Sequence, residues 1–443
     1  MRFKLFLLFT LFGMAHSASA QAPKIEFTEF DLDNGLHVIL HQDNTTPIVC
    51  VSVMYHVGSK NENPERTGFA HFFEHLLFEG SENIDRGEFD NYVEGAGGTL
   101  NANTSNDRTY YYEIMPSHQL ELALWLESER MLHAKVEEIG IETQREVVKE
   151  ERRQRIENPP YGTVLLETFA RAFKEHPYNW PVIGSMEHIN AAEEQDYVDF
   201  YNTFYVPNNA VLSIAGDMDI DQAKDWIKKY FAEIPKGTKE IPRPEVVEPA
   251  LEAEVRDVVY DNIQLPAVIH GFRIPAQGTD DFYAVDMLAT MLAGGQSSRL
   301  YRSLVDDNQA AISTGAFPFQ LEDPGLTLAF AILNPGITPE EAEALMDAEY
   351  EKAGKELMSD REFQKLRNQF ENDLISANTS MAGIAESLAN YHMYFGDANL
   401  INTEIDRYMA VTKEDIMRVA KTYFVPSNRV ALTYLSKELE DKP

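Results

Sequence analysis

"TFYVPNNAVLSIAG" (residues 203–216) and "TYFVPSNRVALTYL" (residues 422–435) decide how this chain is built. Both read aromatic-Val-Pro-x-Asn followed by a run of strand composition, and they stand 219 residues apart. The same spacing separates Pro47 in "TPIVCVSV" from Pro266 in "LPAVIHGF". Two markers at one offset predict a duplicated domain of about that length. The seam falls in "IPKGTKEIPRPEVVEPA", residues 234–250, which is rich in Pro, Lys and Glu and has no hydrophobic period. The expected division is a leader at 1–20, an N-terminal domain at 21–235, a linker at 236–250 and a homologous C-terminal domain at 251–443.

Each half opens with strand-like runs and continues into helical ones. "FTEFDLDNGLHVILHQDN" alternates around the turn signal Asp33-Asn34-Gly35. "HQLELALWLESERMLHA" and "IETQREVVKEERRQRIE" space their apolar residues as helices do. Hairpins and paired helices predict an α+β protein: two duplicated domains, each an antiparallel-rich sheet packed with helices.

The 443 residues exceed one ordinary core. A formal charge of -34, from 38 basic and 72 acidic residues, repels nucleic acid and anionic lipid. "MRFKLFLLFTLFGMAHSASA" has Arg2 and Lys4, an apolar run over Leu5–Met14 and Ala18-Ser19-Ala20, the three parts of a secretory signal. Cleavage after Ala20 removes two basic and no acidic residues, so the charge moves from -34 to -36. A periplasmic or secreted protein follows. The apolar run is too short to span a bilayer, no cysteine near the cleavage point suggests a lipid anchor, and no other segment resembles a membrane helix. The single cysteine, Cys50, lies in a strand-like run and reads as a buried, inert thiol, so no internal disulfide is expected.

"GFAHFFEHLLFEG", residues 68–80, places His71, Glu74 and His75 in an otherwise apolar stretch. On a helix His71 and His75 share a face and can present two imidazole nitrogens to one zinc ion. Glu74 beside them suits a general base that passes the water proton to a leaving amine. A third ligand is required; the residues alone leave Glu146, Glu150 and Glu151 open. Downstream, the Gly97-Gly98 turn leads into a polar run that reads as an exposed edge strand, able to pair with an extended peptide.

The order His-x-x-Glu-His inverts the commoner zinc-peptidase motif and resembles the insulinase/pitrilysin family, the inverzincins, which includes the mitochondrial processing peptidases. "GGTLNANT" (97–104), Thr109 and Tyr111, and "REVVKEERR" (145–153) match further family patterns, as does the duplication. The resemblance implies one Zn2+ per chain, with Glu151, 76 residues after His75, as third ligand. It implies substrate contact at Asn101 and Ala102. Where the family often has an acid seven residues before the ligand, this chain has Gln144, able to hydrogen-bond a ligand or a water but not to share charge.

In the second half, Val285, Leu288 and Ala289 stand opposite His71, Glu74 and His75, so no second catalytic zinc is expected there. The family's substrate-holding Arg and Tyr fall on Val305 and Ile312 within "SSRLYRSLVDDNQAAIS" (297–313). Arg299, Tyr301 and Arg302 lie a turn or more upstream. These departures imply a paralogous second chain that supplies the Arg and Tyr, in preference to a homodimer. The expected activity is a zinc-dependent peptidase acting on peptides or unfolded segments. The competing readings are a non-catalytic assembly subunit and a peptide-binding module.

Overall fold

Two β-sheets with one shared strand order carry the two halves, in a computed structural model of the chain that describes residues 24–440. The expected leader at 1–20 lies outside the described residues. The first sheet comprises β1 (Thr28–Asp31), β2 (His37–Gln42), β3 (Ile48–Tyr55), β4 (Thr99–Thr104), β5 (Thr109–Pro116) and β6 (Ala210–Gly216), in the order β1-β2-β6-β3-β5-β4. The second comprises β7 (Val255–Asp261), β8 (Ala267–Arg273), β9 (Ala311–Pro318), β10 (Leu326–Leu333) and β11 (Arg429–Ser436), in the order β7-β11-β8-β10-β9. β2 runs parallel to β6, β7 runs parallel to β11, and every other neighbouring pair is antiparallel. The protein is thus a two-domain α+β fold with one strand pattern used twice and β1 added to the first sheet.

The quoted repeats become equivalent turns. In each, Pro opens a short 3-10 turn, Pro207–Asn209 or Pro426–Asn428, between a helix and the parallel-paired strand. Pro suits the first position because its missing N–H has no partner to lose there. Asn209 donates from Nδ2 to the Phe204 carbonyl at 2.8 Å and to the His56 carbonyl at 3.3 Å. Asn428 donates to the carbonyls of Tyr423 at 2.9 Å and Arg273 at 2.8 Å. The repeated spacing therefore ties the end of a helix to the end of a neighbouring strand in both halves.

Helices cover both faces of each sheet, and they are partly exchanged. One face of the first sheet packs on the helices Phe69–Leu76, Leu120–Leu132 and Ile220–Phe231 of its own half. Its other face, through Ile39, Cys50, Met54 and Val211, packs on Ile384, Ala385 and Leu388 of the helix Met381–Phe395 from the second half. In return, Phe169 and Ala172 of the helix Val164–Ala172, from the first half, pack with Ile269, Leu328 and Leu432 of the second sheet. Each fully buried aliphatic side chain here contributes roughly 1.5–3 kcal/mol. Cys50 is a free thiol in this contact, and burial pushes its pKa up, so it is inert.

A polar knot also joins the halves. Lys60 is 3 % exposed. Its Nζ lies 3.1 Å from Asp107, 2.6 Å from Glu322 and 3.0 Å from Asp323, the last two from the second half. Between the sheets, residues 236–254 form no helix or strand. They are held down where the Glu248 carboxylate accepts the backbone N–H groups of Lys174, Glu175 and His176. No helix among the described residues is long and apolar enough to cross a membrane.

Candidate metal centre

The helix Phe69–Leu76 turns Phe69, Phe72, Phe73 and Leu76 into the first core, which leaves His71, Glu74 and His75 on the other side. Both ends are fixed. At the N-terminus the buried Glu62 accepts the N–H of Gly68 and of Ala70, each at 2.8 Å. Burial nevertheless pushes the Glu62 carboxyl up to about 8. Gly68 has φ +96°, and a Cβ added to Gly184 would lie 2.4 Å from the Gly68 Cα, so the two backbones touch only because both residues are glycine. At the C-terminus Tyr111 donates its hydroxyl to the Phe73 carbonyl at 2.8 Å, and Arg130 donates to the Leu77 carbonyl at 3.1 Å.

The helix Glu138–Arg152 packs beside this one and delivers Glu151. Glu151 Oε2 lies 3.1 Å from His75 Nε2 and 3.4 Å from His71 Nε2. The imidazole centroids are 4.9 Å apart with planes at 73°. The two histidines hold the Glu151 carboxyl well below the usual range, and Arg155 occupies its other oxygen at 2.7 Å. The rival acids lie elsewhere: exposed Glu146 pairs with Lys149 at 2.8 Å, and exposed Glu150 bonds Arg153 at 3.2 Å.

This donor set fits zinc. Tetrahedral bonds of about 2.1 Å place ligand atoms roughly 3.4 Å apart, the spacing that Glu151 keeps with both histidines. Two imidazole nitrogens and a carboxylate oxygen converge within 4.8 Å of one another, an arrangement of lone pairs that a cation satisfies. Glu74 is half-buried on the same helix, and its charge reaches Tyr111 and Tyr205, phenols that burial already keeps neutral.

The remaining sequence-derived residues divide. Asn101 and Ala102 lie on β4, an edge of the first sheet that packs against the Phe69–Leu76 helix. Gln144 donates its amide to Glu79 rather than to any of the three converging residues. Glu79, which also pairs with Arg86, had a sequence signal that went unused: it continues the four-residue spacing of His71 and His75. Glu62 and Arg130 had no such signal. In the second half Val285, Leu288 and Ala289 are buried core residues. Val305 packs partly buried against that core, and Ile312 is exposed on β9, the edge of the second sheet. Arg299 is bound to Glu362 by two contacts of 2.9 Å.

Residues 37–185, which include His71, Glu74, His75 and Glu151, match the family described as Insulinase (Peptidase family M16). Residues 192–370 match the Peptidase M16 inactive domain. Over 421 residues the chain is 33% identical to the zinc protease PqqE of Helicobacter pylori, covering 94% of each. The chain belongs to the M16 family. A solved protease from Helicobacter pylori shares this M16 fold with a TM-score of 0.88 and 31% identity, over 93% of this chain and 100% of that one. The periplasmic protease PqqL from Escherichia coli, at 18% identity and a TM-score of 0.75, matches 96% of this chain but only 49% of its own length. The two M16 matches fall one on each half, and the one described as inactive includes the buried Val285, Leu288 and Ala289.

Proposed function

We propose that this M16 protein is a zinc metallopeptidase that hydrolyses peptides or unfolded segments. The observation that carries this reading is the convergence of His71, His75 and Glu151 on one point beside Glu74. Zinc held there supplies Lewis acidity toward a water and a scissile carbonyl. Glu74 takes the proton from the attacking water and returns it to the departing amine, so no acyl-enzyme forms. The free edge of β4 at Asn101 and Ala102 binds substrate as an added strand, and Gln144 supports the site from behind its ligands. The domains are read as 21–235 and 251–443 around a linker at 236–250, with only the first holding a catalytic zinc.

A signal at 1–20, cleaved after Ala20, sends the protein to the periplasm or outside the cell. Val305 and Ile312 cannot stabilise a developing oxyanion, so a paralogous chain supplies Arg and Tyr in a heterodimer. The same two residues favour the second reading, a non-catalytic assembly or peptide-binding subunit. Hydrolysis of labelled peptides, with chelator and with zinc restored, separates them. Glu74→Gln is expected to keep wild-type zinc content and lose at least about 100-fold in kcat. Turnover insensitive to chelator, or preserved in that variant, sinks the proposal.

A further inference from the structure

A second convergence of ligating side chains lies where the two halves meet. Register places Glu29 opposite Ile39 and Asp31 opposite His37, so Glu29, Asp31 and His37 share a face of the β1–β2 hairpin. Ile39 on that face packs on the exchanged helix Met381–Phe395, whereas Val38 and Leu40 join the core cluster that the helix Phe69–Leu76 also enters. The cluster is therefore on the opposite side of the sheet from the candidate metal centre. His392, in the last turn of the exchanged helix, completes it.

The arrangement has the parts of a metal site. The Asp31 carboxylate sits 2.8 Å from His37 Nδ1, which fixes the proton there and leaves the Nε2 lone pair free. That Nε2 is 3.5 Å from Glu29 Oε2 and has no hydrogen-bond partner. His392 Nδ1 is likewise buried and unpartnered. The two rings lie face to face, with centroids 3.3 Å apart and planes at 7°. A face-to-face sandwich is a poor arrangement for two aromatic rings, and each ring here also carries a nitrogen shut off from water. One donor atom from each of Glu29, His37 and His392 lies within 4.8 Å of the others.

We infer that Glu29, His37 and His392 form a second Zn2+ site, structural in kind, that clamps the β1–β2 hairpin of the first half to the exchanged helix of the second. Two imidazoles and a carboxylate suit zinc, and an ion between them satisfies both orphaned nitrogens while tilting the rings out of parallel. Asp31 is a positioning residue that acts through His37.

The test uses the untagged full-length chain with the first centre removed by His71→Ala, His75→Ala and Glu151→Ala together, equilibrated with micromolar Zn2+. One equivalent of zinc is expected by elemental analysis. Adding His37→Ala or His392→Gln should lower that to below about a tenth of an equivalent, and Glu29→Gln should weaken binding about tenfold. Zinc should raise the Tm of the triple variant and not that of its His392→Gln derivative, with circular dichroism confirming that both are folded. A triple variant that takes up no zinc overturns the inference. So does zinc that survives both histidine substitutions. Peptidase activity does not enter the readout, so failure of the second site and failure of the proposed function are distinguishable.

Discussion

Glu151 illustrates how far a single residue can be read before a fold is in hand. His71, Glu74 and His75 are legible because helical spacing is local: three positions within five residues define their own geometry. The third acid is not, since Glu146, Glu150 and Glu151 lie on one charged helix and composition cannot rank them. The structure separates them by surroundings, with only Glu151 turned toward the histidines. Glu151→Ala should therefore lower zinc affinity at the first centre by at least about tenfold, and Glu146→Ala and Glu150→Ala should leave it unchanged. Zinc titration of the three variants in a His392→Gln background checks this, and equal affinities would remove Glu151 from the site.

The helix Phe69–Leu76 is short, and its placement depends on contacts far away in sequence. Arg130 is 2 % exposed, and its guanidinium lies 4.3–4.4 Å from the ring centroids of Phe78, Phe89 and Tyr111. It contacts Glu127 at 3.1 Å and Glu113 at 3.4 Å, and it donates to the Leu77 carbonyl. Arg130→Met leaves two buried acids without their cation, for a loss of about 3–5 kcal/mol in urea-induced unfolding. Little change in unfolding midpoint would refute that loss. At this scale the helices were legible from periodicity and the β1–β2 hairpin from Asn34-Gly35. The parallel pairs β2/β6 and β7/β11 were not. Alternation marks which face of a strand is buried, and it carries no information about a neighbour more than 160 residues away.

Across the whole molecule, the knot around Lys60 couples the two halves to pH. Burial would raise the Glu322 carboxyl, but the hydrogen bond from His56 and the charges of His56 and Lys60 outweigh it and bring it down to about 2. A carboxylate depressed in the folded state stabilises above its ordinary value near 4.5, and that contribution disappears as pH falls toward 2. Unfolding free energy should drop by on the order of 2–3 kcal/mol from this group over that window, and Lys60→Met should flatten the drop. A Lys60→Met profile parallel to wild type would exclude the knot as the cause. The duplication was legible at this scale from two motifs at one offset, whereas the exchange of helices between halves left no trace in periodicity. Val305 and Ile312 give the partner prediction: copurification from the native host should bring down a second chain of similar size, and full turnover by the isolated chain would refute it.

The exchange of helices also fixes an order of events during synthesis. The strands of the first sheet leave the ribosome long before residues 381–395, which must cover one of its faces. Until then Ile39, Met54, Val211 and their neighbours offer an open apolar plane. A chain that stops early, or one cut between its halves before folding, should be an aggregating fragment and not a small working unit. The helix Val164–Ala172, made first, waits in turn for a sheet whose last strand, Arg429–Ser436, is made far later. Native structure in either half thus depends on the presence of the other.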